Sequence, residues 1–408
     1  IGGVFVWVKE AFGQRLGFLA IWLLWIENVI WYPTILSFIA ATVAYVFDPS
    51  WGENKTYLIL SSLIAFWALT WLNMKGMKIS GWISSFGVVV GSFIPAAVII
   101  FLGCAWYISG KPLQIDLSWD SFIPNMSSPE QWVIFTGVLF SLAGMEMSAI
   151  HARDVQNPQR NYPRATLYTI FLVIIPSILG VLSVGSIIPQ KEISLTAGTM
   201  QAFVSFVGSY NLYTLVPVMA GLVFVGAVAS LSTWIIGPSR GLLAAAQNGD
   251  LPPQFRQLNK HGMPGNLLIT QAWIVTALSL LFVLMPSINS AYWILTVLVA
   301  QVYLVMYIIM FVAAIKLRYS HPKVIRAYRI PGGNYGMWIV AGCGIISAFC
   351  TLIIGFFPPA QIPTGNVTFY VLFLMIGIGL ICLAPSLILK FKKPSWEKRL
   401  SHETGEDE

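Results

Sequence analysis

The sequence predicts an all-α membrane protein with about ten transmembrane helices, and three observations predict it. Its 408 residues are 57% hydrophobic and only 10% charged, with a mean hydropathy of +0.76. That is more apolar surface than one water-soluble core can hide. The apolar residues gather into runs that reach the roughly 20 residues needed to cross a bilayer as a helix. Those runs are continuously apolar, not alternating, which favours helices over a β-barrel, because hydrocarbon accepts only segments whose backbone hydrogen bonds close within themselves.

In chain order the spans are predicted near 16–46, 57–74, 80–108, 130–153, 165–188, 212–247, 266–285, 290–317, 335–357 and 367–390. The connections are too short for a soluble domain, so residues 1–390 are expected to form one transmembrane domain, and 391–408 a short solvated tail. The longest connection, KPLQIDLSWDSFIPNMSSPE (111–130), carries Pro and Asn that break regular structure. Residues 189–210 place apolar side chains at helical spacing and predict a helix lying along the outer surface. The opening IGGVFVWV is too short to span and reads as the end of a helix that starts upstream.

Orientation follows from the basic residues, because cytoplasmic loops retain Lys and Arg. With the N-terminal end inside, only Lys55, Lys111 and Lys191 of the 23 basic residues lie outside, and an even span count returns the C-terminal tail to the cytoplasm. The net charge of +7 therefore reports topology. The expected partners are the lipid bilayer and small solutes, not nucleic acid. Cys104, Cys343, Cys350 and Cys382 all fall within predicted spans and read as small buried hydrophobes, not as disulfides or metal ligands. The Asn-x-Ser/Thr triplets at Asn54, Asn125 and Asn366 fall in predicted external loops, which are rich in these residues anyway. Gly87 and Gly91 form a GxxxG that reads as close helix packing.

No enzyme is expected, and no cofactor or metal. HExxH and P-loop signatures are absent from the sequence, so nothing couples this chain to ATP directly. A solute crossing here would move down its gradient, by exchange or by ion coupling.

Ionisable residues inside the bilayer cost a few kcal/mol on insertion scales, so each is a functional candidate. Glu27 and Glu146 qualify, being acidic residues well inside predicted spans. Glu146 follows Ser141, Leu142, Ala143 and Gly144, a small-residue patch at which a helix can unwind near mid-membrane and leave the carboxyl facing a wet cavity. The competing reading is a helix contact through Ala143 and Gly144, with Glu146 bonded to a neighbour. Low dielectric disfavours the charged form of a carboxyl, which makes Glu146 a candidate proton-sensing group. Glu27, in WIENVIWYP, lines the same cavity or makes a structural hydrogen bond. Trp234, Tyr303 and Tyr307 lie on apolar helices, the two tyrosines one turn apart, and could cap a pocket and meet an ammonium, or simply be core or lipid-facing.

Several stretches carry a family resemblance: GGVFVWVKEAFGQRLGF (2–18), FSLAGMEMSAIHARDVQNPQRNYPRA (140–165), IIPQKEISLTAGTMQAF (187–203), WIIGPSRGLLAAAQNGDLPPQF (234–255), IPGG (330–333) and FFPP (356–359). Together they resemble the amino acid–polyamine–organocation superfamily, and most of all its bacterial glutamate/γ-aminobutyrate antiporters. The resemblance implies a five-plus-five inverted repeat with two extra C-terminal helices, working by alternating access. Aligned on it, the sequence begins at the end of the second helix, so the first helix and most of the second are missing and the predicted spans are the third to the twelfth.

The resemblance also gives Phe140 the position of a gate residue, Ser141 to Gly144 that of the unwound segment, and Glu146 that of a pH-responsive carboxyl. Trp234 matches an aromatic of the eighth helix, and Tyr303 and Tyr307 match paired tyrosines of the tenth. The implied protein is a bacterial inner-membrane exchanger of glutamate or a related amino acid for γ-aminobutyrate or a similar product, used in acid resistance. The alternatives are a proton-coupled amino acid or polyamine permease and, from another class, a non-transporting membrane receptor or assembly partner.

Overall fold

A computed structural model of the chain describes residues 3–76, 86–122, 127, 129–147, 155–324, 326, 329–360 and 362–396. These residues form helices joined by turns, with no strand among them. In order they are α1 (Val4–Phe12), α2 (Gln14–Phe47), α3 (Lys55–Asn73), α4 (Phe86–Ile108), α5 (Ile134–Ser141) and α6 (Pro158–Ile187). There follow α7 (Gly198–Gly208), α8 (Val216–Gln247), α9 (Gly265–Ser279), α10 (Ile288–Ser320), α11 (Gly333–Ile354) and α12 (Val367–Lys390). Among the described residues nine helical stretches are long and apolar enough to cross a membrane, and a tenth, Ile134–Met147, is apolar but short.

The ranges follow the hydropathy runs closely, with one departure. The run predicted near 130–153 is not one helix: a short turn at Pro129–Trp132 precedes α5, which stops at Ser141. Its remainder, 148–153, lies outside the described residues, as does Asn125.

α2 is the hub. It packs against α1, α3, α8, α9, α10 and α12, and Phe18, Trp25, Tyr32 and Leu36 on it are fully buried. A helix apolar on every side, as this one is, belongs in the middle of a membrane bundle. α6, α11 and α12 lie at the periphery instead, with Leu167, Phe171, Val181, Ile339, Ile346, Ile376 and Leu380 exposed. Apolar surface on that scale has lipid as its natural solvent.

The cysteines belong to this outer surface. Cys104, Cys343 and Cys350 are exposed, Cys382 is half-buried and all four are free, so the expectation of buried positions fails. Hydropathy marks a residue as apolar but does not distinguish a lipid-facing side from a protein-facing one. Asn54 and Asn366 cap α3 and α12, accepting from the amides of Tyr57 and Phe369.

α4 contains a π turn at Val89–Phe93, which carries Gly91 against Gly226 of α8. A methyl group on Gly91 would sit 2.1 Å from the Gly226 nitrogen. Two backbones in direct contact leave room for glycine alone.

At one end of the bundle, beyond the spans, the corner between α1 and α2 is tied to the end of α8. Lys9 Nζ donates to Asn248 Oδ1 at 3.0 Å, and Gln14 donates to Asp250 Oδ2. Asp250 is buried, and its Oδ1 has no hydrogen-bond partner among the described residues. Burial raises its pKa above the ordinary 3.8, opposed by the bonds from Gln14 and Asn248 and by the nearby charges of Lys392 and Lys9. The first residues after α12 are docked, since Arg256 Nη1 donates to the Trp396 carbonyl at 3.1 Å.

A carboxyl whose folded-state pKa is raised binds its proton more tightly folded than unfolded. Stability therefore falls as pH climbs from the ordinary carboxylate value of 3.8 through the raised folded value. Asp250→Asn keeps the acceptor for Gln14 and removes the titration. Its unfolding temperature in detergent should vary less between about pH 4 and pH 7 than that of the parent, and equal pH slopes would refute this.

Candidate functional site

The break after α5 sets the site. α5 ends as Leu142 and Ala143 donate back to Leu139 and Phe140. Gly144 takes φ +110°, and the chain then makes a tight turn through Glu146 and Met147. Only glycine enters that region without strain, and here a methyl group would also meet the Trp234 ring at 3.0 Å. A helix that stops in mid-bilayer strands its terminal amides and carbonyls, so neighbours must supply partners.

α10 supplies them. Tyr307 Oη accepts from the Gly144 amide at 3.1 Å and donates to Glu146 Oε2. Tyr303 Oη, one turn earlier, donates to Glu146 Oε1. The two rings lie 4.9 Å apart between centroids, and Phe140 meets Tyr303 edge to face at 6.4 Å. The i, i+4 spacing of the tyrosines places both hydroxyls on one side of α10, opposite the two oxygens of one carboxylate.

Around this clamp is a cavity of about 210 Å³. This is below the roughly 300–1,000 Å³ of pockets for drug-sized ligands and suits a small solute. α5 contributes Phe140 and Ser141 to its wall, the segment after it Ala143 and Gly144, and α10 Tyr303. α2 contributes Glu27, Asn28 and Trp31, and α8 contributes Ser230 and Trp234. Glu27 is only 2% exposed and accepts from Asn28 Nδ2 on Oε1. Trp31 and Trp234 meet edge to face at 6.1 Å. Tyr32 Oη, donating to the Trp234 carbonyl at 2.9 Å, fixes α2 against α8.

The residues singled out from the sequence thus divide into three groups. Phe140, Ser141, Ala143, Gly144, Trp234, Tyr303 and Glu27 share one cavity. Glu146 and Tyr307 lie off the wall beside Tyr303, Glu146 accepting from both tyrosines and the Tyr307 ring packing on that of Tyr303. Leu142 is 41% exposed and is not part of the wall. Trp31 and Ser230 were missed, although helical spacing could have found them. Trp31 lies four residues after Glu27, and Ser230 four before Trp234, so each shares a helix face with a candidate.

A larger cavity, about 920 Å³, opens between α4, α6 and the start of α7. Its wall is mostly apolar and holds neither intramembrane carboxyl, so the smaller cavity is where polar chemistry meets the membrane interior.

With this geometry in place, comparison with known proteins decides the family. A family model described as amino acid permease matches residues 1–381. The chain belongs to that family. It is a multi-pass membrane transporter of amino acids, not an enzyme.

An uncharacterized transporter of Legionella pneumophila is 46% identical over 389 residues, which span 95% of this chain and 84% of that protein. A glutamate/γ-aminobutyrate antiporter of Lactococcus lactis subsp. lactis is 32% identical over 410 residues, 100% of this chain and 80% of its own length. The protein of the same description from Lactococcus lactis subsp. cremoris is 32% identical over 391 residues.

In this permease Tyr307 serves two bonds at once. Tyr307→Phe leaves the Gly144 amide without its acceptor and Glu146 with one donor, at a cost of about 1–3 kcal/mol. A lower unfolding temperature and at least a tenfold loss of uptake are expected, measured in reconstituted vesicles beside the parent. Parent-like values in both would show that the hydroxyl does not hold the break.

Proposed function

We propose that this protein is a bacterial inner-membrane exchanger that takes glutamate or a related amino acid in one direction and γ-aminobutyrate or a similar product in the other, by alternating access. The observation that carries the reading is the end of α5 facing a small cavity lined by Glu27 and aromatic rings, with Glu146 clamped by Tyr303 and Tyr307 beside it. The similarity to the Lactococcus antiporters along the whole chain supports the choice of substrates.

In this reading Phe140 and Trp234 gate the cavity, Tyr303 closes its third side, and the interrupted backbone at Ser141–Gly144 meets the solute. Helix ends inside a bilayer offer carbonyls and amides that a zwitterion can use in place of water. Glu146 tunes the response to pH, because a proton placed on either oxygen competes with the tyrosine hydroxyl that donates there. Tyrosines freed from that carboxylate can turn, and the clamp on the Gly144 amide loosens. The predicted orientation, with both ends cytoplasmic, belongs to the same reading.

Counterflow tests it. Vesicles holding the full-length protein should take up labelled glutamate many-fold faster when loaded with γ-aminobutyrate than when empty, and uptake indifferent to internal substrate would reject exchange. An imposed proton gradient that drives uptake into empty vesicles would point to a proton-coupled permease instead. Glu146→Gln should shift the pH profile of uptake at normal protein levels; an unmoved profile would remove Glu146 from the pH response.

A further inference from the structure

At the end of the bundle where α8 finishes, α9 and α12 each pack on α2, and all three line a further cavity of about 410 Å³. Trp22 and Trp25 of α2, Thr270 of α9 and Leu387 of α12 form its sides, and Phe255, which follows α8, with Phe391 and Trp396, which follow α12, complete the wall. The polar groups on the helices are engaged within the protein. Trp22 Nε1 donates to the Ile381 carbonyl at 3.1 Å, Trp25 Nε1 to Gln271 Oε1 at 3.3 Å and the Thr270 hydroxyl to the Asn266 carbonyl at 2.8 Å. No charged residue is on the wall among the described residues. Water entering this space would find few groups to bond, so it suits hydrocarbon. The residues beside it face the bilayer: Ile269, next to Thr270, and Leu383, one turn before Leu387, are both exposed.

Basic residues gather at the same end. Arg256 follows Phe255 directly, and Lys390 and Lys392 flank Phe391, with Lys393 next. From Leu251 to Trp396 the sequence contains no Asp or Glu. Asp250, within Coulombic reach of Lys392 and Lys9, offsets part of this charge. Arg256 donates through Nη1 to the Trp396 carbonyl at 3.1 Å, which pins its guanidinium beside the wall. A guanidinium has further N–H donors in a planar fork that matches a phosphate.

We propose that this cavity is a phospholipid site selective for an anionic headgroup: one acyl chain enters between α9 and α12 to lie against Trp22 and Trp25, and Arg256 holds the headgroup phosphate, with Lys390, Lys392 and Lys393 around it. Basic clusters at the cytoplasmic ends of membrane helices attract anionic lipids, and the predicted orientation puts this end in the cytoplasmic leaflet. Trp396 beside Arg256 suits that depth, since tryptophan favours the headgroup level. A soluble phosphate has the charge but leaves the apolar space empty. A zwitterionic lipid fills the space but brings an ammonium to the basic cluster. The site takes the molecule that satisfies both, whichever solute the protein carries.

The test mixes the full-length protein in detergent with equal amounts of phosphatidylglycerol and phosphatidylcholine of the same chains, and reads the lipid that stays bound by native mass spectrometry. The parent should retain phosphatidylglycerol at least fivefold over phosphatidylcholine, and equal retention overturns the proposal. Replacing Arg256, Lys390, Lys392 and Lys393 together by Gln should bring that ratio below twofold. Thr270→Phe, which fills the cavity, should cut the retained phosphatidylglycerol at least fivefold. A parent-like ratio in the first variant, or parent-like retention in the second, overturns the proposal. Excess glycerol phosphate, which carries the headgroup charge without a chain, should displace none of the lipid from the parent; displacement would make this a site for soluble anions and overturn it. If a variant gives no monodisperse peak on gel filtration, the two measurements on the parent decide.

Discussion

A backbone cannot stop being a helix inside hydrocarbon unless something else accepts and donates in place of its missing turn. Here that something is one face of α10. Tyr307 takes the Gly144 amide, and together with Tyr303 it supplies the carboxylate that follows. The two tyrosines and Glu146 depend on one another. Without the carboxylate the hydroxyls would lose their acceptors, and without the hydroxyls the half-buried carboxylate would lose both protein donors. The interruption in α5 is thus held by a polar unit that fails as a whole.

That unit can sit in mid-bundle because the surrounding helices are fixed independently. α2 is buried along most of its length and bonds to α8 through Tyr32. A second buried network joins α2, α8 and α9: Trp25 and Ser239 both donate to Gln271 Oε1, at 3.3 and 2.9 Å. Earlier along α8, direct backbone contact between Gly91 and Gly226 brings α4 in. Helices that lack a hydrophobic drive toward each other in lipid rely on such close packing and polar bonds. The walls of the cavity on α2 and α8 are therefore held by packing and polar bonds that do not involve α5.

The sequence made most of this scaffold legible, because a span is a property of one continuous stretch. The runs at 16–46 and 367–390 correspond to helices Gln14–Phe47 and Val367–Lys390. What it left unreadable depends on which side a residue faces. Leu142 sits in the same small-residue patch as Ala143 and Gly144, yet lies outside the cavity. Cys104 and Cys350 are as apolar as any core residue and face outward. Glu27 is the instructive case. Next to Asn28 in sequence it reads equally as a hydrogen-bonded structural residue or as cavity wall, and in three dimensions it is both. Adjacency along the chain shows the bond, whereas the cavity needs α5, α8 and α10 to be present.

The electrostatics of the cavity follow from that last point. Glu27 lies within Coulombic reach of Glu146, and no cation is on the described wall. Like charges repel more strongly in a low-dielectric interior than in water, so an unneutralised pair of carboxylates is costly. Glu146 offsets part of that cost through two hydroxyl donors; Glu27 has a single amide. A proton, or a ligand that carries positive charge, relieves the remainder. The acidic groups are thus a constraint that the bundle satisfies locally, and the two tyrosine hydroxyls and the Asn28 amide are the donors that do so.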